Sequence, residues 1–578
     1  MAPADREVYV LNELTLLPFL ACCLAGRRPF LAGVLPLVRL AGVPLRLLAE
    51  RLLTWGVCRP ASAFSEGLRW SENMPDFGWY NDIHITLEAR LHDAFNPQPR
   101  SPAQHWYDYA ARKVVSDAAA DAIPALLVAE WAERNLPAGS WSVRGISAFG
   151  AWIHQAYWGR KAPFSSGRAA MVSVLFNLLN LLTALIAGVA WLTPRLRMGV
   201  VQEACMLAVD AHTDLEARVL KRLLAPGEKG VAIFRTAAAR AEMAPLFAGY
   251  SCRTVGDARV TPARALWLGG RLIRDLSALF RLYGRSGPEL FGRLSVLAVK
   301  RCMWDAFFDG LLPANFWCRD DYAIDHPVRN KTLRDRGGRS LGINHGIPIN
   351  TYFYAYREID CDAYFVHGEA LIPYYRDLWP AHMSAQAIGC VHQPPRGEVL
   401  PPRDRDIVVF ATVVEDIDWL MDQIRALAVC FPERRIWVRT KADTDKDFLE
   451  AVDRLLAGGP ENLVRHTASV PYELLRHCGY SISTGSTVTL EAIAFGMPSF
   501  VFDVWARWKY FYFRNNAPEI VVADAADLAR RIKAVEDGSR PYPFAACEPV
   551  IRQGCDPFEE IRKKMTGSDQ SSIVPASQ

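Results

Sequence analysis

From about Gly230 onward, short apolar runs alternate with helical patterns, and that alternation leaves few folds open to the chain. Strand candidates lie at Asp406–Ala411, Arg435–Arg439, Asn462–Val464, Tyr480–Ser483, Ser499–Asp503 and Glu519–Val522. Between them, Ile417–Cys430 and Lys446–Leu456 carry apolar residues at three- and four-residue spacing, and Thr487–Phe495 is a short apolar helix stopped by Gly496 and Pro498. Strands separated by helices cannot pair as hairpins. Each connection crosses over, so the sheet is parallel and both faces are covered. One doubly wound domain is expected over about residues 406 to 540.

A second α/β set runs upstream through Gly230–Arg235, Cys252–Val255, Asn315–Cys318, Ser340–Asn344 and Ala363–His367. Glu7–Leu11 and Arg28–Ala32 read as strands around a helix and are expected to join the same sheet. Residues from about 60 to 215, rich in Trp and Ala, then form a helical insertion. The stretch 391–405 is dense in proline and charge and suits an extended connector. The expected organisation is therefore α/β, with two Rossmann-like doubly wound domains. Residues 1–390 carry the insertion, 391–405 link, 406–565 form the second domain, and 566–578 have the composition of a disordered tail.

Of the 578 residues, 51% are hydrophobic and 22% charged, which excludes a disordered or fibrous chain. Sixty-six Lys and Arg against 62 Asp and Glu leave a formal charge of +4, too little for bulk nucleic-acid binding. Any anion site must be local. The 13 cysteines include no C-x-x-C pair and no Cys/His cluster at zinc spacing, so no metal site is expected, and a reducing cytoplasm fits best. The N-terminal apolar stretch is broken by Arg27, Arg28, Arg39 and Arg46, unlike a signal peptide.

The densest chemistry lies in Tyr480–Asp503, where a strand feeds the loop Ser483-Thr-Gly-Ser-Thr487 and the loop opens a helix. Backbone N–H groups, the helix dipole and the hydroxyls together make a phosphate cradle. Glu491, four or five positions into the helix, reaches a ligand at the helix start and accepts from ribose hydroxyls. The alternative is a capped helix in an ordinary βαβ unit, with Glu491 solvated.

The pattern Ser-Thr-Gly-Ser-Thr-x-x-x-Glu-Ala-x-x-x-Gly-x-Pro, closing on a strand that ends in Asp503, resembles the donor-nucleotide motif of GT-B glycosyltransferases. It is most similar to bacterial surface-polysaccharide enzymes, the CDP-glycerol glycerophosphotransferase group and the Kdo- and sialyl-type transferases. The resemblance implies a nucleotide on the C-terminal domain, an acceptor mainly on the N-terminal domain, chemistry in the cleft and a hinge at 391–405. Upstream, Gly342-Ile-Asn-His-Gly346, then Asp362–Glu369 and Ile388-Gly389, resembles the end of the N-terminal domain of the glycerophosphotransferase group. There the His of His-Gly is the base, and His345 matches it. A neutral imidazole suits proton removal from an acceptor hydroxyl near pH 7; the alternative is a structural His in a turn.

Asp320 and Asp321 follow the strand ending at Cys318, on the ligand edge of an open sheet. Either one as base with His345 in support is a second assignment, and N-cap duty a third. His326-Pro327 resembles the His-Pro motif of sialyl-type transferases but lies in the wrong half and is set aside. Where related enzymes carry His-Pro after the second C-terminal strand, this chain has Arg439-Thr-Lys441, two cations suited to a leaving phosphate. Glu415 and Asp416 read as a helix start. Val470 and Pro471, in the loop after the short third strand, stand where backbone groups of GT-B folds grip a nucleobase. The resemblance spans roughly residues 310 to 510.

Ala169–Pro194 contains no charged residue over 26 positions, long enough to cross a bilayer. Basic residues flank both ends, Asn177 and Asn180 argue against a free-standing span, and a crossing would split one α/β domain. A buried helix or an in-plane membrane contact is expected.

Together these features point to a metal-independent transferase that needs no cofactor. It moves a sugar or a glycerol-phosphate-like group from a nucleotide-activated donor to a surface-glycan or lipid-linked acceptor, at the cytoplasmic face of the membrane. The alternatives are a reaction like that of nucleotide-sugar 2-epimerases and a non-catalytic component of polysaccharide assembly.

Overall fold

The computed structural model describes residues 7–11, 15–34, 51–60, 83, 86–87, 90–95, 101–135, 137–139, 141–159, 166–319, 323–347, 357–394, 398, 400–411, 416–440, 446–467, 472–504 and 511–566. Among them, strands form three sheets, each entirely parallel. The first contains β1 (Glu7–Leu11), β2 (Phe30–Val34), β3 (Arg59–Pro60) and β4 (Ser142–Arg144), in the order β3-β2-β1-β4.

The second is seven-stranded. It comprises β5 (Glu203–Asp210), β6 (Gly230–Phe234), β7 (Ser251–Thr254), β8 (Leu311–Cys318), β9 (Arg339–Ile343), β10 (Ala363–Val366) and β11 (Ser384–Ala387), in the order β11-β10-β9-β8-β5-β6-β7. The third contains β12 (Ile407–Ala411), β13 (Ile436–Thr440), β14 (Leu463–Arg465), β15 (Tyr480–Ser483), β16 (Ser499–Phe502) and β17 (Val521–Val522), in the order β14-β13-β12-β15-β16-β17. Numbered within each sheet, the second and third both have the Rossmann order 3-2-1-4-5-6, the second with one added edge strand. The chain is thus α/β, with two Rossmann-like sheets. Strands β12, β15 and β16 are buried along their whole length, as sheets covered on both faces require.

The six strands expected in the C-terminal half are all present, within two residues at each end. Upstream, two expectations are corrected. β1 and β2 do not join the seven-stranded sheet: β1 is flanked by β2 and β4, which leaves it no free edge. The expected helical insertion also runs too far, because β5, an interior strand of the second sheet between β8 and β6, starts at Glu203. Its run Cys205–Val209 is almost wholly buried and shows no alternation, so it reads like a piece of buried helix. The described residues of the stretch are nevertheless largely helical up to that point, with helices at Pro102–Asn135, Ala148–Trp158 and Ser166–Leu192. These pack with the helices Pro262–Tyr283 and Pro288–Gly310 around a second apolar core. Buried Asp275 ties them together, accepting from Tyr107 Oη at 3.0 Å and pairing with Arg301 at 2.9 Å.

A third difference lies at the C-terminus. The expected second domain, 406–565, does not keep its own last helix. Pro557–Thr566 returns to the seven-stranded sheet, where Phe558, Ile561 and Met565 cover Leu341, Phe365 and Ile388. The returning backbone is clamped on the way. Arg552 N donates to His367 O at 2.9 Å, and Ala370 N donates to Pro549 O at 2.8 Å. Gly368 and Gly389, which follow β10 and β11, are where this backbone passes. A Cβ at Gly368 would lie 2.3 Å from the Val550 carbonyl carbon, and one at Gly389 would lie 2.5 Å from Arg552 O, at a φ of +80°. The expected tail at 566–578 lies outside the described residues beyond Thr566.

Candidate functional site

In a parallel sheet all strand C-terminal ends lie on one edge, and ligands bind there near the point where strand order reverses. The two Rossmann-like sheets bring these edges together. Ile347 N, in the loop that follows β9, donates to Thr487 Oγ1, in the loop that follows β15, at 3.3 Å. His345 sits two residues from that bridge and is exposed. Its neighbour Asn344 is buried and anchored: its N donates to Phe365 O at 2.7 Å, its Nδ2 donates to Tyr364 Oη at 3.2 Å, and its Oδ1 lies 3.1 Å from His367 Nδ1.

The loop after β15 is built by its own side chains. Ser483 is buried, and its Oγ accepts from Gly485 N at 3.1 Å and Ser486 N at 3.3 Å while sharing a 2.6 Å bond with Thr489 Oγ1. Gly485 has a φ of +101°, a conformation that favours glycine. Two of the backbone donors expected for a phosphate are therefore turned inward onto Ser483, whose hydroxyl shapes the loop. Thr484 is buried too. Gly485, Ser486 and Thr487 are half-buried at the junction.

Glu491, in the helix Val488–Ala494, is the electrostatic centre of the junction. Burial pushes its carboxyl up to about 7, against the opposing pull of Arg218, Arg319 and Arg439. These guanidiniums come from three elements: Arg218 from the helix Asp214–Leu223 after β5, Arg319 from the end of β8 and Arg439 from the end of β13. A capping box holds that first helix, with Thr213 N donating to Glu216 Oε2 at 2.7 Å and Leu215 N to Thr213 Oγ1 at 3.2 Å. Arg218 Nη2 lies 2.7 Å from His392 Nδ1, and Arg439 Nη1 lies 3.1 Å from His466 Nδ1. The His392 ring stacks on Tyr472, with centroids 5.0 Å apart. Burial holds His392 down to about 3, helped by Arg218 and Arg319, and holds His367 down to about 4, helped by His345. Both rings are neutral at pH 7. Three cations thus share one carboxyl that titrates near neutrality, which suits an anionic ligand and a proton-transferring group side by side.

Of the residues expected from sequence, His345, Ser483, Thr484, Gly485, Ser486, Thr487, Arg439 and Glu491 come together at this junction. Asp320, Asp321, Lys441, Val470 and Pro471 lie outside the described residues. His326 is structural, as expected from its place in the chain: it is buried, with Nδ1 2.8 Å from Ala323 O and Nε2 accepting from Asp360 N at 3.1 Å. Asp416 caps its helix by accepting from Trp419 N at 2.9 Å; Glu415 lies outside the described residues.

Arg218, Arg319, His367, His392 and Tyr472 were not anticipated. Arg319 precedes the aspartate pair and was overshadowed by it, His392 sits in what reads as a connector, and Arg218 cannot be placed without β5.

Two other features stand apart from the junction. A cavity of about 460 Å³ opens by Trp106 and Trp267, with Asp309 and Arg336 just before β8 and β9, hence on the opposite strand edge. Its arginines are already matched, Arg264 with Asp309 at 2.7 Å and Arg336 with Asp309 at 3.1 Å. Among the described residues, Glu130, Glu133 and His154 bring ligand atoms within 4.8 Å of one another inside the helical region.

The Glu491 carboxyl gives a measurable signature. Its folded-state pKa lies above the ordinary 4.5, so the folded chain keeps this proton to higher pH than the unfolded chain does. The associated stability is present below the ordinary carboxylate range and is lost as pH rises toward about 7, a difference of about 3 kcal/mol. Buried Glu358, pushed up to about 7 by burial, titrates in the same range. The difference between wild type and Glu491→Gln isolates Glu491: the variant's melting temperature is expected to fall less steeply from about pH 5 to 8. Parallel curves would contradict the assignment.

No family model and no curated protein matches the chain. Among solved structures, a putative UDP-N-acetylglucosamine 2-epimerase from Listeria monocytogenes aligns at 10% identity and a TM-score of 0.39, covering 66% of this chain and 100% of that one. The calicheamicin glycosyltransferase CalG4 aligns at 12% identity and a TM-score of 0.34, covering 65% and 100%. A glycosyltransferase from Rickettsia africae aligns at 11% and 0.36, covering 63% and 99%. The architecture stated above rests on the chain's own strand order.

Proposed function

We propose that this chain is a GT-B-type glycosyltransferase, moving a sugar or a glycerol-phosphate-like group from a nucleotide-activated donor to a cell-surface polysaccharide or a lipid-linked acceptor. One observation carries the reading. The loop bearing His345 and the loop bearing Ser486 and Thr487 meet across two facing strand edges, with three arginines gathered around Glu491 beside them. A donor held there has its phosphates against Thr484–Thr487, its ribose at Glu491 and its base near Val470 and Pro471. Arg439 and Lys441 meet the charge that develops on the departing phosphate, so the reading calls on no metal or cofactor. His345 takes the proton of the acceptor hydroxyl, and Asp320 or Asp321 is the alternative base. The chain works at the cytoplasmic face of the membrane, a placement supported by its thirteen unpaired thiols.

The near-neutral Glu491 carboxyl favours a second reading, proton removal and return at a sugar carbon, as in a nucleotide-sugar epimerase. Incubation with donor alone separates the two: an epimerase needs no acceptor, whereas a transferase yields at most slow hydrolysis.

The direct test is thermal unfolding of the full chain with CMP, CDP, UDP, GDP or dTDP. Ligand at a hundredfold excess over Kd adds about 2.7 kcal/mol, so at least one nucleotide is expected to raise the melting temperature by several degrees. No shift with any of them would remove the nucleotide-donor reading and leave a non-catalytic assembly component.

A further inference from the structure

The helix Ser166–Leu192 is built inside out for water. Along its described side chains the buried positions are Ser173, Asn177, Asn180, Ala184 and Gly188, all small or polar, with Leu192 at the end of the helix and Leu181 and Leu185 half-buried beside them. Leu175, Leu178, Leu179, Leu182, Ile186 and Val189 point to solvent, with Leu175 66% and Ile186 60% exposed. The usual surface helix has the reverse pattern. The inward face is fully engaged. Asn177 Nδ2 donates to Gly284 O at 3.0 Å, Asn180 Nδ2 donates to Asn177 Oδ1 at 3.4 Å, and at Gly188 an added Cβ would meet Leu272 Cδ2 at 2.3 Å. The orientation is therefore locked by specific packing, and the leucine face is the one the fold leaves open.

That face continues beyond the helix. The chain runs on through Leu196, Met198 and Val201, the last two 92% exposed, and Arg197 N donates to Val260 O at 2.9 Å at the entry to the helix Pro262–Tyr283. There Leu266, Trp267 and Ile273 are also exposed. Two packed helices and the segment between them so form one apolar surface. An exposed apolar patch of this extent marks an interaction site in a folded protein.

Charge decides what covers it. Residues 166–202 contain no Asp or Glu, and residues 258–287 contain only Asp275, buried and paired with Arg301. Arg197, Arg274 and Arg281 are exposed at this surface. A second copy of the chain docked through these two segments would set their arginines against arginines, since neither segment carries an exposed carboxylate. An anionic lipid surface instead offers hydrocarbon to the leucines and phosphates to the arginines.

A span is excluded by the same packing. Ser173–Arg195 is long and apolar enough to cross, with a mean hydropathy of 1.9, but it lies against the helix Pro288–Gly310, whose Arg293 and Arg301 pair with Asp117 at 3.0 Å and Asp275 at 2.9 Å. Inserting it upright would draw those ion pairs into hydrocarbon.

We propose that the helices Ser166–Leu192 and Pro262–Tyr283, with the segment Leu196–Val201, lie in the plane of an anionic bilayer, leucines in the acyl boundary and Arg197, Arg274 and Arg281 at the phosphates. The inference stands on this surface alone and holds whatever reaction the strand-edge junction performs.

The experiment is flotation of the full chain with vesicles of phosphatidylcholine, with and without phosphatidylglycerol. Binding is expected with phosphatidylglycerol and weakly or not at all without it. The Leu182→Asp/Ile186→Asp variant is expected to stay in the soluble fraction. Arg274→Gln/Arg281→Gln is expected to lose roughly twenty-five-fold of its affinity, at about fivefold per basic residue. All these side chains are exposed, so an unchanged thermal midpoint checks that the variants fold. Failure to float with anionic vesicles, or flotation that the Asp substitutions leave intact, would overturn the proposal. So would retention on membranes after alkaline extraction, which indicates a span, or a vesicle-independent dimer abolished by the Asp substitutions, which indicates a face shared between copies.

Discussion

Alanine at His345 is expected to lower turnover by about two to four orders of magnitude, the usual contribution of a positioned general base, and to leave the melting temperature where it was. The second half of that expectation comes from the structure. The ring is exposed, while the loop that carries it is held by its neighbours: Asn344 N on Phe365 O, Asn344 Oδ1 at His367 and Ile347 N on Thr487 Oγ1. Removing the imidazole disturbs none of these bonds. Steady-state rates with donor and acceptor, compared over pH, are the measurement. Loss of the acid-side limb in kcat together with the fall in rate assigns the proton transfer to His345, since a general base is active only when deprotonated. An unchanged rate would pass the role to Asp320 or Asp321.

The largest effect on stability is expected from Gly368→Ala. The new methyl would sit 2.3 Å from the Val550 carbonyl carbon and 2.4 Å from Pro549 O, and both contacts are backbone, so no side chain can swing aside. The returning C-terminal segment must move off β10, straining the bonds from Arg552 N to His367 O and from Ala370 N to Pro549 O. Overpacking of this kind costs about 3 kcal/mol, occasionally more. Chemical denaturation of wild type and variant measures it, with Gly554→Ala as a comparison, a glycine of positive φ with open space around it. Equal stabilities of the Gly368 variant and wild type would mean that the clamp is loose.

The C-terminal half was legible because its strands are short apolar runs bounded by turn residues and its helices have clear periodicity, the two signals that survive without tertiary information. The upstream half hid the first strand of its seven-stranded sheet. Leu207–Asp210 is buried on both faces, and nothing in a short unalternating run tells a covered strand from a covered helix. That omission carried into the site, since Arg218 acquires its meaning only as a residue on the helix that β5 feeds. The Ser483–Thr487 loop was located correctly, but its hydrogen bonds were not readable: that Ser483 would turn its hydroxyl onto Gly485 N and Ser486 N depends on a backbone path the residue types permit without dictating. The glycines at 368 and 389 carry a similar lesson. The sequence shows that they follow strands but not that the space beside them is filled by the protein's own backbone.

The return of Pro557–Thr566 to the seven-stranded sheet makes the six-stranded half an insertion rather than a sequel. The chain leaves the first half at the connector, builds all of the second, and comes back to supply Phe558, Ile561 and Met565 as the cover of Leu341, Phe365 and Ile388. A cut at the connector alone therefore does not separate two self-sufficient pieces: the upstream fragment would be missing part of its own roof, and the downstream one would carry that roof away. The two halves are one folding inheritance joined by two covalent strands, and any opening of the cleft between them is a motion of two struts instead of one.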